Sequence, residues 1–266
     1  MRSGKVAAAF AVLLVVSFAT MNAMSADTLP AALLQESVLA LVALVAVGFA
    51  VPDALKRCTQ SVQQRNTVRF AGITLLLTGL VGGAITILTW YFANSGNGAG
   101  FVSAVLPSAV DLMENLLLLL GICLLTGLYE ESFMRVLGIE AFERALDTKR
   151  AILASAALFA LLHVGTPDVS AGQLVLLQTA LKFGQALLFG VVLGALYVRT
   201  RRLWPCAFIH AGFDVLYMTP NVLLTGTMPE TYASGAVGDT VLLAATTVLL
   251  AIAAIALMKK LDVACK

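Results

Sequence analysis

Two histidines and a pair of glutamates stand in or at the ends of the most apolar stretches of this 266-residue chain. His163 and His210 are its only histidines, and the pair Glu130 and Glu131 closes a third apolar run. An ionisable side chain in hydrocarbon is costly, so such residues usually face the protein interior and mark a functional site. A carboxylate and two imidazoles in one cavity have the groups needed for general acid and base chemistry.

The glutamate pair is followed four residues later by an arginine, Arg135. If this stretch is helical, Glu131 and Arg135 share a face and can pair, while Glu130 lies about 100° away around the axis. Glu131 would then be held ionised, and Glu130 would be free to act as a base. The alternative is that both glutamates only mark the cytoplasmic end of a helix.

The two histidines each have a partner at helical spacing. Phe159 lies four residues before His163, and Asp214 lies four residues after His210, so each pair can share one helical face. His163 alone could equally be a packing or loop-capping residue, and a His210–Asp214 pair could be purely structural. The functional reading requires Glu130, His163 and His210 to converge on one cavity.

A metal centre is an alternative use of the same side chains. Two histidines and a glutamate are a possible zinc set with an open fourth position, as in some hydrolytic zinc sites, although the HExxH pattern is absent. The four cysteines show no metal-like spacing. We therefore expect no cofactor, with catalytic zinc as the alternative. The cysteines are Cys58, Cys123, Cys206 and Cys265.

The composition identifies the elements that must position these residues. Hydrophobic residues make up 60% of the chain and charged residues 12%, and the mean hydropathy is +0.94. A soluble domain carries about a quarter charged residues, so the chain is predicted to be a polytopic membrane protein without a sizeable soluble domain. The net charge of +2 offers no electrostatic footprint for nucleic acid.

Apolar windows predict an all-α bundle of about eight transmembrane helices in a single domain, residues 1–266, with a core at 106–219 that carries the motifs. Lys182, Gln178 and Gln185 fall inside the sixth span and need interior partners, either along a substrate or water path or at Asp111 or Glu114. The predicted spans are 5–24, 33–52, 69–93, 106–129, 151–164, 173–198, 203–219 and 237–258.

Basic residues cluster on alternate sides of these spans, which predicts that both termini and the loops after spans two, four and six are cytoplasmic. The first run, after Arg2 and Lys5, is predicted to be a retained span; the alternative is a cleaved signal peptide ending near residue 26. Residues 94–103 are predicted to form a flexible outer loop, and 139–147 a short amphipathic helix at the cytoplasmic interface.

In their order along the chain, the motifs resemble those of the CPBP intramembrane proteases. This family, also called Abi or CAAX-protease-and-bacteriocin-processing, includes the Rce1-type prenyl-protein endopeptidases. Its signature is EExxxR, then FxxxH, then HxxxN or HxxxD. This chain has Glu130-Glu131-xxx-Arg135, Phe159-xxx-His163 and His210-xxx-Asp214. The resemblance covers roughly residues 110–218.

The resemblance implies a glutamate-dependent endopeptidase that activates water inside the membrane. By motif position, Glu130 would be the general base, His163 would orient the water, and His210 with residue 214 would stabilise the oxyanion. Asp214 departs from the asparagine of many relatives. An ionised aspartate cannot donate a hydrogen bond, so its role shifts towards orienting and charging His210. Glu131 and Arg135 would support the site, with Phe159 in the FxxxH motif.

The expected substrate is a membrane-associated or prenylated protein or peptide that reaches the cytoplasmic face, and the expected location is a prokaryotic plasma membrane. The first alternative is a noncatalytic immunity or partner protein on the same scaffold. A zinc-dependent membrane protease is the second. The third, a proton-coupled transporter, would use the buried ionisable residues as a relay, but the chain shows no evident inverted repeat.

Overall fold

The computed structural model of the chain is a helical bundle. It describes residues 2–24, 26–56, 61–95, 108–164, 170, 172–225 and 233–264, and these residues contain no β-strand. The predicted all-α membrane bundle is confirmed. Eight long helices follow the eight predicted spans: α1 (Arg2–Ala23), α2 (Leu29–Ala50), α3 (Val62–Ser95), α4 (Ala109–Glu130), α5 (Thr148–Val164), α6 (Gln173–Thr200), α7 (Leu203–Thr225) and α8 (Val237–Ala264).

The outer surfaces of these helices are apolar. Phe18, Phe49 and Phe92 are exposed, together with many aliphatic side chains, which suits a lipid environment and would be costly in water. Six of the eight helices are long and apolar enough to cross a bilayer. The other two are α5, which has 17 residues, and α7, which carries His210 and Asp214. The chain is a multi-pass integral membrane protein.

Helix α7 lies inside the bundle, packed against α3, α4 and α6. Gly127 of α4 faces the backbone of α7 so closely that a Cβ atom there would lie 2.6 Å from the carbonyl oxygen of Ala207. Small residues allow such close helix approach in membranes. Because Gly127 lies one turn before Glu130, this contact brings the end of α4 next to His210.

Helix α5 packs against α6 in a similar way. Gly190 of α6 faces Ala156, and Gly194 faces Ile152; in each case an added Cβ atom would come within 2.9 Å of the neighbour. These two glycines form the small-residue face that their spacing predicts. The contact holds α5, and with it His163, beside α7.

The helix type changes at the glutamate pair. Helix α4 ends at Glu130, and Glu131–Ile139 forms a π-helix whose nine residues are all buried. A uniform α-helix was the assumption for this stretch, and the structure corrects it. π-Helices carry i→i+5 hydrogen bonds, are rare and often lie at functional sites. The hydroxyl of Ser155 donates to the Met134 carbonyl at 2.6 Å, which gives this widened backbone a partner from α5.

Two boundaries differ from the hydropathy prediction. Helix α3 begins at Val62 because Ser61 and Gln64 cap each other's backbone N–H groups. The predicted amphipathic helix at 139–147 is wrong: after the π-helix, only Glu140–Phe142 is α-helical, and turns follow. The predicted outer loop at 94–103 lies, beyond Ser95, outside the described residues.

Candidate active site

Glu130 stands where α4 gives way to the π-helix, and both its carboxylate oxygens face histidines. Oε1 lies 3.8 Å from Nε2 of His163, and Oε2 lies 3.5 Å from Nε2 of His210. The Glu130 side chain is 19% exposed. The structure therefore brings the three predicted residues together, although they come from three different helices.

The orientation of His163 is set by its own helix. Nδ1 lies 2.9 Å from the carbonyl oxygen of Phe159, and a carbonyl can only accept, so Nδ1 carries the hydrogen. In the neutral ring, Nε2 is then an acceptor that faces Glu130. The Phe159 ring lies 4.1 Å from the His163 ring, centroid to centroid. The pair thus shares one helical face, as its spacing predicts.

His210 is surrounded by carboxylates on both ring nitrogens. Nδ1 lies 2.8 Å from Oε1 of Glu131, and Nε2 lies 3.3 Å from Oδ2 of Asp214 as well as near Glu130. A neutral imidazole carries one N–H group, whereas the imidazolium donates from both nitrogens. The surroundings of His210 therefore favour the charged ring. Glu131 orients it through Nδ1, which was the task that the sequence gave to Asp214.

Glu131 and Arg135 form the ion pair that their spacing predicts. Nε of Arg135 lies 3.1 Å from Oε2 of Glu131, and both side chains are fully buried. The Arg135 guanidinium also stacks over the Phe159 ring at 4.3 Å from its centroid. Phe159 thus contacts the supporting arginine on one side and the His163 ring on the other.

A bonded network on the cytoplasmic side fixes the end of the π-helix. Arg201 lies in the α6–α7 turn and binds Glu143 with two hydrogen bonds of 2.7 and 2.8 Å, and it contacts Glu140 at 3.0 Å. Burial disfavours the charged guanidinium, but the hydrogen bonds and the two carboxylates outweigh this and raise the pKa of Arg201.

Two cavities meet at this cluster. One, of about 130 Å³, lies between α4, α6 and α7 and contains the polar groups of Lys182, His210 and Asp214. The other, of about 200 Å³, is mainly apolar and is lined by α1, α4, the π-helix and α5, including Phe18. Glu130, Phe159 and His163 line both cavities. The carboxylate of Glu130 is therefore reached from two sides.

The part of the chain that carries all these motifs matches a known protein family. Residues 112–216 match the family described as Type II CAAX prenyl endopeptidase Rce1-like. This segment belongs to the Rce1-like family. The resemblance drawn from the three motifs is confirmed, and the family is one of CAAX proteases. No curated protein matches the chain.

Glu36 of α2 approaches the site from outside the Rce1-like segment and was missed in the sequence. Its side chain hydrogen-bonds that of Thr126 and interacts electrostatically with Asp214 and His210. The signal was present, because Glu36 is an acidic residue in an apolar run, the same pattern that singled out the histidines. It adds a fourth carboxyl group to the surroundings of the site.

The polar residues of α6 divide between two places. Gln178 donates to the Ala236 carbonyl and to Thr240, at the start of α8, and lies away from the site. Within the Rce1-like segment, Lys182 and Gln185 line the polar cavity. The predicted path along α6 therefore contains Lys182 and Gln185 but not Gln178.

The fit of a metal ion can be judged from the donor atoms. Zinc ligands lie about 2.0–2.2 Å from the ion when they are histidine nitrogens or carboxylate oxygens. Among the described residues, no three His, Cys, Asp or Glu side chains are arranged to hold a metal ion. The steps derived below use only the side chains of this chain.

Proposed function

We propose that this protein is an intramembrane endopeptidase that hydrolyses a peptide bond with water activated by Glu130. The observation that carries the proposal is the arrangement of Glu130 between the two histidines, at the meeting point of two cavities. A base, an oriented acceptor and a cationic donor around one point are the groups that peptide hydrolysis needs.

Water activation is assigned to Glu130 and His163. Oε1 of Glu130 and Nε2 of His163 are both acceptors, and at 3.8 Å they are too far apart for a direct hydrogen bond. A substrate water that donates one hydrogen to each would be held with its oxygen lone pairs facing the peptide carbonyl. Glu130 takes the proton as the water oxygen attacks, and later gives it to the leaving amine.

Stabilisation of the oxyanion is assigned to His210. When the substrate carbonyl enters the polar cavity, the Nε2–H group of His210 is the donor that can turn from carboxylate to oxyanion. An ionised Asp214 accepts hydrogen bonds only. Its role in the proposal is to hold the positive charge on His210, at 3.3 Å, with Glu131 on the opposite nitrogen.

The two cavities support an endopeptidase, because a chain that crosses Glu130 can continue on both sides of the cleaved bond. The apolar cavity suits a hydrophobic part of a membrane-associated or prenylated substrate. We further propose that the site serves the cytoplasmic face of a prokaryotic plasma membrane, with both termini cytoplasmic, as the basic clusters predict. One membrane domain, with its core at 106–219, would carry this activity.

The test is cleavage in reconstituted membranes of a fluorogenic peptide that ends in a C-a-a-X sequence, prepared with and without a farnesyl group. Glu130→Gln should abolish cleavage. Glu114→Gln removes an exposed carboxylate from the same helix and should leave the rate unchanged. Cleavage that persists in Glu130→Gln would sink the mechanism.

A chelator and a binding assay decide between the remaining candidates. Cleavage that is unaffected by a chelator supports the metal-free mechanism, whereas loss on chelation and recovery with zinc would support a zinc protease. If folded wild-type protein binds the farnesylated peptide without cleaving it, the noncatalytic partner function replaces the endopeptidase.

A further inference from the structure

Lys182 places a cation in the wall of the candidate active site. It lies in α6 and lines the polar cavity together with Glu130, His210 and Asp214. Among the described residues around this cavity, it is the one lysine or arginine. Positive charge in a membrane-embedded cavity is costly unless it is paired, so its partners define its role.

Lys182 is held in place by a hydrogen-bond network. Nζ lies 3.3 Å from Oε1 of Gln185. The Gln185 amide in turn donates to the hydroxyl of Tyr217 at 3.1 Å and to that of Thr246 at 2.6 Å. Tyr217 lies three residues after Asp214 on α7. The network therefore fixes Lys182 relative to the helix that carries the acidic residue.

The acidic partners of Lys182 are Asp214 and Glu130, both of which interact with it electrostatically. The Arg135 guanidinium is not an alternative counter-ion for Asp214, because it pairs with Glu131 and stacks on Phe159. Other charged or titratable groups near Asp214 are His210, with which it pairs, and Glu36 of α2.

The charges around the site then balance in three pairs. Glu131 is matched by Arg135. If His210 is charged, as its two carboxylate contacts favour, it matches one of the remaining carboxylates, and Lys182 matches the other. Without the lysine, Glu130 and Asp214 would share a single positive charge. Without the aspartate, the cavity would carry an excess positive charge next to the general base.

We propose that Lys182 is the counter-ion that allows the cavity to hold an ionised Asp214, and that it is a positioning residue for the Asp214–His210 pair. The part of this inference that concerns catalysis rests on the proposed function. Lys182 itself does not touch the reacting atoms. It acts by fixing the charge on Asp214, and through Asp214 the charge on the His210 ring.

A double-mutant cycle tests the inference. Lys182→Met and Asp214→Asn each leave one uncompensated charge, and each should lower kcat about tenfold or more, whereas the combined variant should recover about tenfold over Lys182→Met, because residues in one network couple strongly. KM should change less than kcat. Lys182→Arg keeps the charge and should rescue activity.

Thermal unfolding in detergent gives a second reading of the same cycle that needs no substrate. Each single variant should lower Tm by roughly 5 °C or more, because an unpaired charge is left in the protein interior, and the combined variant should regain most of that loss. Lys56→Met is the matched control, since Lys56 is exposed and pairs with Asp53 at the surface. It should change neither quantity.

The outcomes separate this inference from the proposed function. Failure of Glu130→Gln to stop cleavage would refute the function and leave the Tm cycle intact. Independent, additive effects of the two substitutions on Tm would overturn the counter-ion. Coupling in Tm without coupling in kcat would make Lys182 purely structural and overturn its positioning role. If Lys182→Met does not accumulate, Lys182→Gln serves in the same cycle.

Discussion

The close approach of α4 to α7 can be tested by adding one methyl group. In Gly127→Ala, the new Cβ atom would lie 2.6 Å from the Ala207 carbonyl oxygen and 3.3 Å from the Ala211 nitrogen. Both obstacles are backbone atoms, which cannot rotate away. Ordinary van der Waals contact begins at 3.4 Å, so α4 must move away from α7 by about 0.8 Å.

This displacement acts directly on the site, because Glu130 is one turn further along α4. Added to the 3.5 Å between Oε2 of Glu130 and Nε2 of His210, it would separate the two atoms to about 4.3 Å. Overpacking of this kind costs about 1–3 kcal/mol of stability. A misplacement of about 1 Å at a catalytic group can lower the rate about 100-fold.

The assay is cleavage of the same peptide in reconstituted membranes, with thermal unfolding as the measure of stability. Gly184→Ala is the control, because its Cβ atom would make an ordinary contact at 3.7 Å with Thr247. It should keep full activity. If Gly127→Ala cleaves as fast as the control, then the glycine contact does not set the distance between Glu130 and His210, and the reasoning fails.

Three further substitutions address the supporting structure. Glu131→Gln leaves the buried Arg135 without its carboxylate and should cost about 3–5 kcal/mol; exchange of both for apolar residues should cost less, as thermal unfolding would show. Ser155→Ala removes the donor to the Met134 carbonyl and should cost about 1–2 kcal/mol; unchanged stability would mean that the π-helix needs no such partner. Arg201→Ala breaks a partly exposed ion pair and should cost no more than about 1 kcal/mol, measured by the same unfolding assay.

The sequence predicts the number and order of the helices because long apolar runs in a membrane protein allow few alternatives. It also predicts which residues meet at the site, since Glu130, His163 and His210 each stand out against an apolar background. The start of α3 was placed at residue 69 instead of Val62 because hydropathy ignores polar helical turns that project from the membrane. The reciprocal cap of Ser61 and Gln64 was the available signal.

The remaining differences arise from contacts between helices. Nothing in the spacing of Glu130 to Arg135 distinguishes an α-helix from a π-helix, because the Glu131–Arg135 pair forms in the observed one. The contact of Glu131 with His210 joins residues 79 positions apart and depends on how α4 meets α7. Lys182 needed an interior partner, but only the fold brings it next to Asp214.

The π-helix after Glu130 makes the length of this segment critical. An i→i+5 turn accommodates more residues than an α-helical turn, so deletion of one residue between Ser132 and Gly138 would allow a regular α-helix to form. Each α-helical residue rotates the chain by about 100°, so the same deletion would turn everything beyond it relative to α4. Arg201 would then lose its hold on Glu143. A one-residue deletion here should thus be far more harmful than a conservative substitution, which makes length, and not only composition, a property that this segment must keep.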